Sequence, residues 1–75
     1  MDYPYEYTFA VTEQEYREKY NIAIKTSRAN GGSGFAGWSD EDGWYIKVAS
    51  IKSTLEYIAR DIGASQETKN EIRDL

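Results

Sequence analysis

The side chains that could carry chemistry in this sequence are carboxylates and phenols. Asp and Glu together number 13, tyrosine 7, and Lys and Arg together 9, while histidine and cysteine are absent. Without histidine the chain lacks the commonest general base near neutral pH and the commonest metal ligand. Without cysteine it has no thiol nucleophile, no disulfide and no thiolate metal site. No Ser-His-Asp or Cys-His arrangement can therefore assemble. A carboxylate pair could in principle do acid–base work, but no spacing brings two into one pocket, and a chain of 75 residues seldom encloses one. The expectation is a protein that is not an enzyme and has no catalytic residue, cofactor or metal ligand.

Two motifs hint at ligands and fail on context. Gly32-Ser33-Gly34-Phe35-Ala36-Gly37 spells the glycine fingerprint that lets a pyrophosphate approach the backbone at a helix N-terminus. That fingerprint needs a strand before it and a helix after it, and here a helical pattern precedes and a hairpin follows. The P-loop reading fails because Trp38 stands where the lysine must be. The segment from Asn30 to Gly37 reads as a flexible glycine-rich loop. Asp40-Glu41-Asp42-Gly43 lacks the alternating ligands and terminal glutamate of a calcium loop, and reads as a solvated hairpin tip.

What remains is recognition chemistry. Tyrosine and tryptophan bury much area, lose little entropy and keep a polar tip, which is why they anchor interfaces. The candidate partner-binding set is Asp40, Glu41, Asp42, Tyr45, Tyr3, Tyr5, Glu13, Glu15 and Glu18. The net charge of −4 favours a basic protein surface as partner and disfavours direct nucleic-acid binding, which needs an excess of cations.

These side chains must be held by local elements. Tyr3, Tyr5, Tyr7, Phe9 and Val11 alternate with Pro4, Glu6, Thr8 and Ala10, the period-two pattern of a strand over 3–11. Pro4 has no N–H for a ladder, so the strand belongs at an edge. Thr12 and Glu15 form a capping-box signature. From it a helix runs over 13–29, with Tyr16, Tyr20, Ala23, Ile24 and Ser27 on one stripe and Asn30-Gly31-Gly32 as its stop. An alternative breaks this helix at Asn21 and makes residues 22–26 a strand. The Trp38–Trp44 segment reads as a hairpin closed by a G1 bulge at Gly43. Pairing Asp40 with Trp44 then places Trp38 opposite Ile46 and Ala36 opposite Val48, with Tyr45 outward. Ser50 caps a second helix, 51–62, whose stripe is Ile51, Leu55, Ile58 and Ile62. Gly63 ends it, and Ser65 caps a short third helix.

The fold class is α+β: one compact domain, 1–75, with a three-stranded antiparallel sheet (the N-terminal strand plus the tryptophan hairpin) covered by two to three helices. No run of residues approaches a membrane span. The N-terminus from Met1 to Glu6 lacks the basic and apolar regions of a signal peptide. Cysteine usage accords with the cytoplasm.

Ile58-Ala59-Arg60-Asp61-Ile62-Gly63 resembles the first helix and turn of the helix-turn-helix family, a likeness covering about the last third of the chain. Lys69 departs from it, standing where the second helix buries an aliphatic residue. Glu67, Glu71 and Asp74 outnumber Lys69 and Arg73 on the helix that would face DNA. The resemblance implies a DNA-binding alternative through 54–75. A second alternative is a structural or self-associating subunit, a homodimer included, that pairs through the 3–11 edge strand.

The leading expectation is a small acidic binding module that acts by occlusion. Its size, missing catalytic residues, acidic balance and aromatic surplus resemble in type the inhibitors carried by phages and mobile elements, such as anti-CRISPR and anti-restriction proteins. Such a resemblance implies a host nucleic-acid-binding defence protein as target, engaged at its nucleic-acid-binding groove by partial charge mimicry.

Overall fold

The computed structural model describes residues 3–75. Met1 and Asp2, where the N-terminal segment begins, lie outside the described residues. The elements are β1 (Tyr5–Val11), α1 (Glu13–Ala29), β2 (Gly34–Asp40), β3 (Gly43–Ser50), α2 (Lys52–Asp61) and α3 (Gln66–Arg73). The three strands form one antiparallel sheet in the order β1-β3-β2. The α+β architecture expected from the sequence is the one observed.

Alternation in β1 does what its period predicts. Tyr5, Tyr7, Phe9 and Val11 pair with Ser50, Val48, Ile46 and Trp44, so all eight side chains share the face that meets the helices. The core on that face holds Phe9, Ala23, Ile46, Val48, Leu55, Ile58, Ala59, Ile62 and Ile72. Isoleucine dominates, and each fully buried branched side chain contributes about 1.5–3 kcal/mol.

α1 is a single helix through residues 22–28, which removes the strand alternative. Its capping box is complete: Glu15 N–H donates to Thr12 Oγ1 at 3.1 Å and Thr12 N–H donates to Glu15 Oε1 at 3.0 Å. The helix stops where Gly31 and Gly32 take φ of +100° and +89°, angles that favour glycine. α2 ends in a Schellman turn, with Ala64 N–H donating to the Ala59 carbonyl and Gly63 N–H to that of Arg60.

Three local expectations are corrected. Ser50 does not cap α2; the N-cap is Ile51, with no side-chain cap. Ser50 is the last residue of β3, faces inward and donates its hydroxyl to the Gly32 carbonyl at 3.0 Å. Ile51 lies at the cap and is 48% exposed, so the buried stripe of α2 is Leu55, Ile58 and Ile62. The glycine-rich segment is a loop only to Ser33, because Gly34–Gly37 belong to β2. Its loop part is anchored, with Thr54 Oγ1 donating to the Asn30 carbonyl at 2.8 Å and Asn30 Nδ2 to that of Thr26 at 2.8 Å.

Candidate functional site

The hairpin register decides which aromatics reach solvent. β2 and β3 close on the pair Asp40↔Gly43, with Glu41 and Asp42 as the two-residue turn. The expected G1 bulge is absent. Asp40 Oδ1 instead accepts from Asp42 N–H at 2.8 Å and Gly43 N–H at 3.1 Å, which fixes the turn one residue tighter. A one-residue slip moves every side chain of a strand to the other face. Trp38 therefore pairs with Tyr45, Ala36 with Lys47, and Phe35 with Val48.

Packing under α1 explains the choice. A Cβ on Gly37 would overlap the Tyr16 hydroxyl and lie 2.8 Å from Tyr16 Cζ, so that inward position has no room for an indole. Phe35 and Trp44 extend the inner row. Tyr16 lies 5.2 Å from Trp44 and 5.4 Å from Tyr20, and Tyr20 lies 6.1 Å from Phe35, all between ring centroids. The inner face thus uses most of the aromatic content as core, in pairs worth about 0.5–1.5 kcal/mol each beyond area burial.

The outer face of the sheet is bare of helices. Glu6, Thr8, Ala10, Ala36 and Trp38 on it are all exposed. Trp38 is 40% exposed and stacks on Tyr45, with centroids 5.4 Å apart and planes at 27°. Beside this pair, Gly34, Ala36, Lys47 and Ala49 line a shallow hollow of about 220 Å³. Lys47 is held by Glu6 at 3.3 Å, so the hollow is flanked by a neutralised pair.

Asp40, Glu41 and Asp42 continue the outer face at the hairpin tip, and no cation pairs with them among the described residues. Burial and the nearby Asp40 and Asp42 carboxylates raise the Tyr45 phenol above its ordinary 10.0. Tyr45 therefore stays a neutral hydrogen-bond donor across the physiological range.

The remaining candidate residues are divided. Val11 pairs with Trp44, so the first turn of α1 starts at the hairpin-tip end of the sheet. Three of its carboxylates are engaged: Glu15 in the capping box, Glu13 with Arg17 at 2.9 Å, and Glu18 with Gln14 at 3.2 Å. Tyr3 and Tyr5 lie at the opposite end. Tyr3 reaches to 4.0 Å from where a Gly34 side chain would begin, and Tyr5 packs half-buried against the core. The structure thus gathers Asp40, Glu41, Asp42 and Tyr45 around Trp38, a residue that the apolar alternation alone turns inward. The signal for Trp38 was the turn itself: Asp40, with an Asx-type carboxylate, can close a two-residue loop.

Elsewhere, a hollow of about 320 Å³ between β1, α1 and the α2–α3 corner includes Phe9, Val11, Ile62, Glu15, Lys19 and Ser65. Its one carboxylate is the capping residue. At the α2–α3 corner Lys69 is half-buried, and Glu67 and Glu71 are exposed. Tyr7 donates its hydroxyl to Glu71 at 2.6 Å, tying α3 back to β1. No helix among the described residues is long and apolar enough to cross a membrane.

These features define a small α+β domain that presents an open, aromatic-centred sheet face ending in an acidic turn. Comparison with known protein families, characterised proteins and solved structures returns no match.

Proposed function

We propose that this protein is a non-catalytic binding module that docks its open sheet face on a basic surface of a partner protein and occludes it. The observation that carries the reading is the exposed Trp38–Tyr45 stack set directly beside the unpaired Asp40-Glu41-Asp42 tip. A preformed aromatic pair loses little side-chain entropy on binding and supplies apolar area. The flanking acids supply orientation and on-rate against cations. A basic groove built for nucleic acid has the complementary chemistry, and a net charge of −4 suits partial mimicry in which the aromatic anchor supplies most of the affinity. The phage or mobile-element inhibitor of a host defence protein, of anti-CRISPR or anti-restriction type, is the biological setting that this reading favours.

The test is displacement. Affinity capture from the native host, followed by mass spectrometry, identifies the partner; labelled nucleic acid bound to that partner is then titrated with this protein. Release of the nucleic acid by the wild type, and its failure with Glu41→Lys/Asp42→Lys, supports the reading. A captured partner that is acidic, or one that keeps its nucleic acid while bound, overturns it.

A further inference from the structure

We infer that β2 is a pairing edge, and that its occupant is the β2 strand of a second copy of this chain, joined antiparallel about a two-fold axis at Gly37. β2 is an outer strand of the sheet, and edges left flat and uncharged pair with other strands. Over its seven residues, Gly34–Asp40, it has no lysine, no proline and an unbroken register with β3, and its one charge, Asp40, stands at its last position. Ser39 and Gly37 are exposed although their positions face the helices, so the edge beside them is open. The other edge is protected. β1 is preceded by Pro4, carries Glu6, and has the α2–α3 corner alongside Phe9, Ala10 and Val11.

Backbone direction fits the pairing. A two-residue turn closes on a hydrogen-bonded pair, and Asp40 and Gly43 are that closing pair. Asp40, Trp38, Ala36 and Gly34 then direct their main-chain groups to β3. Phe35, Gly37 and Ser39 direct theirs outward, where a second strand would take them.

The side chains are self-complementary about Gly37, as a two-fold interface demands. Ala36 falls opposite Trp38 of the second copy, so each indole packs over a methyl group and the hollow beside it. Phe35 falls opposite Ser39 and Gly34 opposite Asp40, so no like charges are directly paired. The two Asp40 residues stand six positions apart, about 20 Å at strand rise, beyond the screening length of about 8 Å at physiological salt. The product is a continuous six-stranded sheet, three strands from each copy, whose outer face joins both Trp38–Tyr45 stacks into one central patch with an acidic tip at either end.

This pairing does not depend on the proposed partner, and salt separates the two. Copies carrying −4 each repel, so added salt strengthens self-association, whereas docking of acids on a basic surface weakens with salt.

The test is sedimentation equilibrium of the intact chain from about 10 µM to 1 mM, the range where small interfaces associate. The expected result is a mass rising from 8.6 kDa towards about 17 kDa, twice the monomer, with the rise steeper in high salt. Ser39→Pro removes one outward N–H, a change that edge strands tolerate, and is expected to stay monomeric with an unchanged circular dichroism spectrum. Should Ser39→Pro not fold, an NMR dilution series on the wild type decides. Concentration-dependent shifts at the amides of Phe35, Gly37 and Ser39 support the pairing. A mass of 8.6 kDa at every concentration, shifts confined to β1, or a folded Ser39→Pro that still dimerises overturns it.

Discussion

Replacing Gly37 with alanine is expected to destabilise the domain by about 1–3 kcal/mol, the usual cost of overpacking. The new Cβ would overlap the Tyr16 hydroxyl and lie 2.8 Å from its Cζ and 2.9 Å from its Cε2. Tyr16 can escape only by rotating away from Trp44 and Tyr20, its partners at 5.2 and 5.4 Å. Each aromatic pair is worth about 0.5–1.5 kcal/mol, so losing both gives the same magnitude as the overpacking. For a domain of 75 residues total stability is about 4–11 kcal/mol, and the melting temperature should fall by roughly 5–20 °C. Urea unfolding followed by tryptophan fluorescence measures the loss. Tyr16→Ala should cost less in the Gly37→Ala background than alone, because it also relieves the clash. The sign of the effect is diagnostic. In the register that pairs Trp38 with Ile46, Gly37 faces solvent, and alanine would stabilise by about 0.5–1 kcal/mol through its lower unfolded-state entropy. A neutral or stabilising Gly37→Ala would therefore refute the register and, with it, the exposure of Trp38.

Other outcomes follow from the same packing. Thr54→Val leaves the Asn30 carbonyl without its 2.8 Å donor and should cost about 1–3 kcal/mol, read from urea midpoints. Asp61 is held below its ordinary carboxylate value by the hydrogen bond from Arg60 and then by that from Thr26. Its stabilisation is thus complete above the unfolded carboxylate range, near about pH 4, and is lost as pH falls through the folded value. Asp61→Asn should flatten that acid limb in denaturation curves taken across this range. If the α2–α3 corner is a packing device, random duplex at low salt should show no gel retardation at micromolar protein; clear retardation would favour the DNA-binding alternative.

The elements were more legible in the sequence than the way they touch. Period-two aromatics in β1, the Thr12–Glu15 capping box and the Gly63 stop each act within a few residues, and local chemistry decides them. The hairpin register was different. Its two candidates differ by one residue in the turn, and both give alternating apolar sets, with either Trp38 or Phe35 inside. The choice rests on the Asp40 carboxylate and on Tyr16, which reaches Gly37 from α1, more than twenty residues earlier in the chain. Nothing in the local pattern reports that approach. The same holds for Ser50, a good cap by type, which the inward face of β3 claims for the Gly32 carbonyl. Among the candidate residues, Asp40, Glu41, Asp42 and Tyr45 were legible as a turn and an outward strand position. Trp38 was not, because its face depended on the register. The composition also understated how many aromatics the core consumes: the inner face leaves Tyr3, Trp38, Tyr45 and Tyr57 outside it.

Whether the Trp38–Tyr45 stack anchors a protein partner is decided by truncating the indole. The quantity to measure is the dissociation constant of Trp38→Ala for the partner captured by the wild-type chain, beside the variant's melting curve. Binding is expected to weaken by about 30-fold or more, the loss of a hot-spot residue, with a melting temperature close to that of the wild type. Undiminished affinity in a folded Trp38→Ala protein would show that the stack is not the anchor.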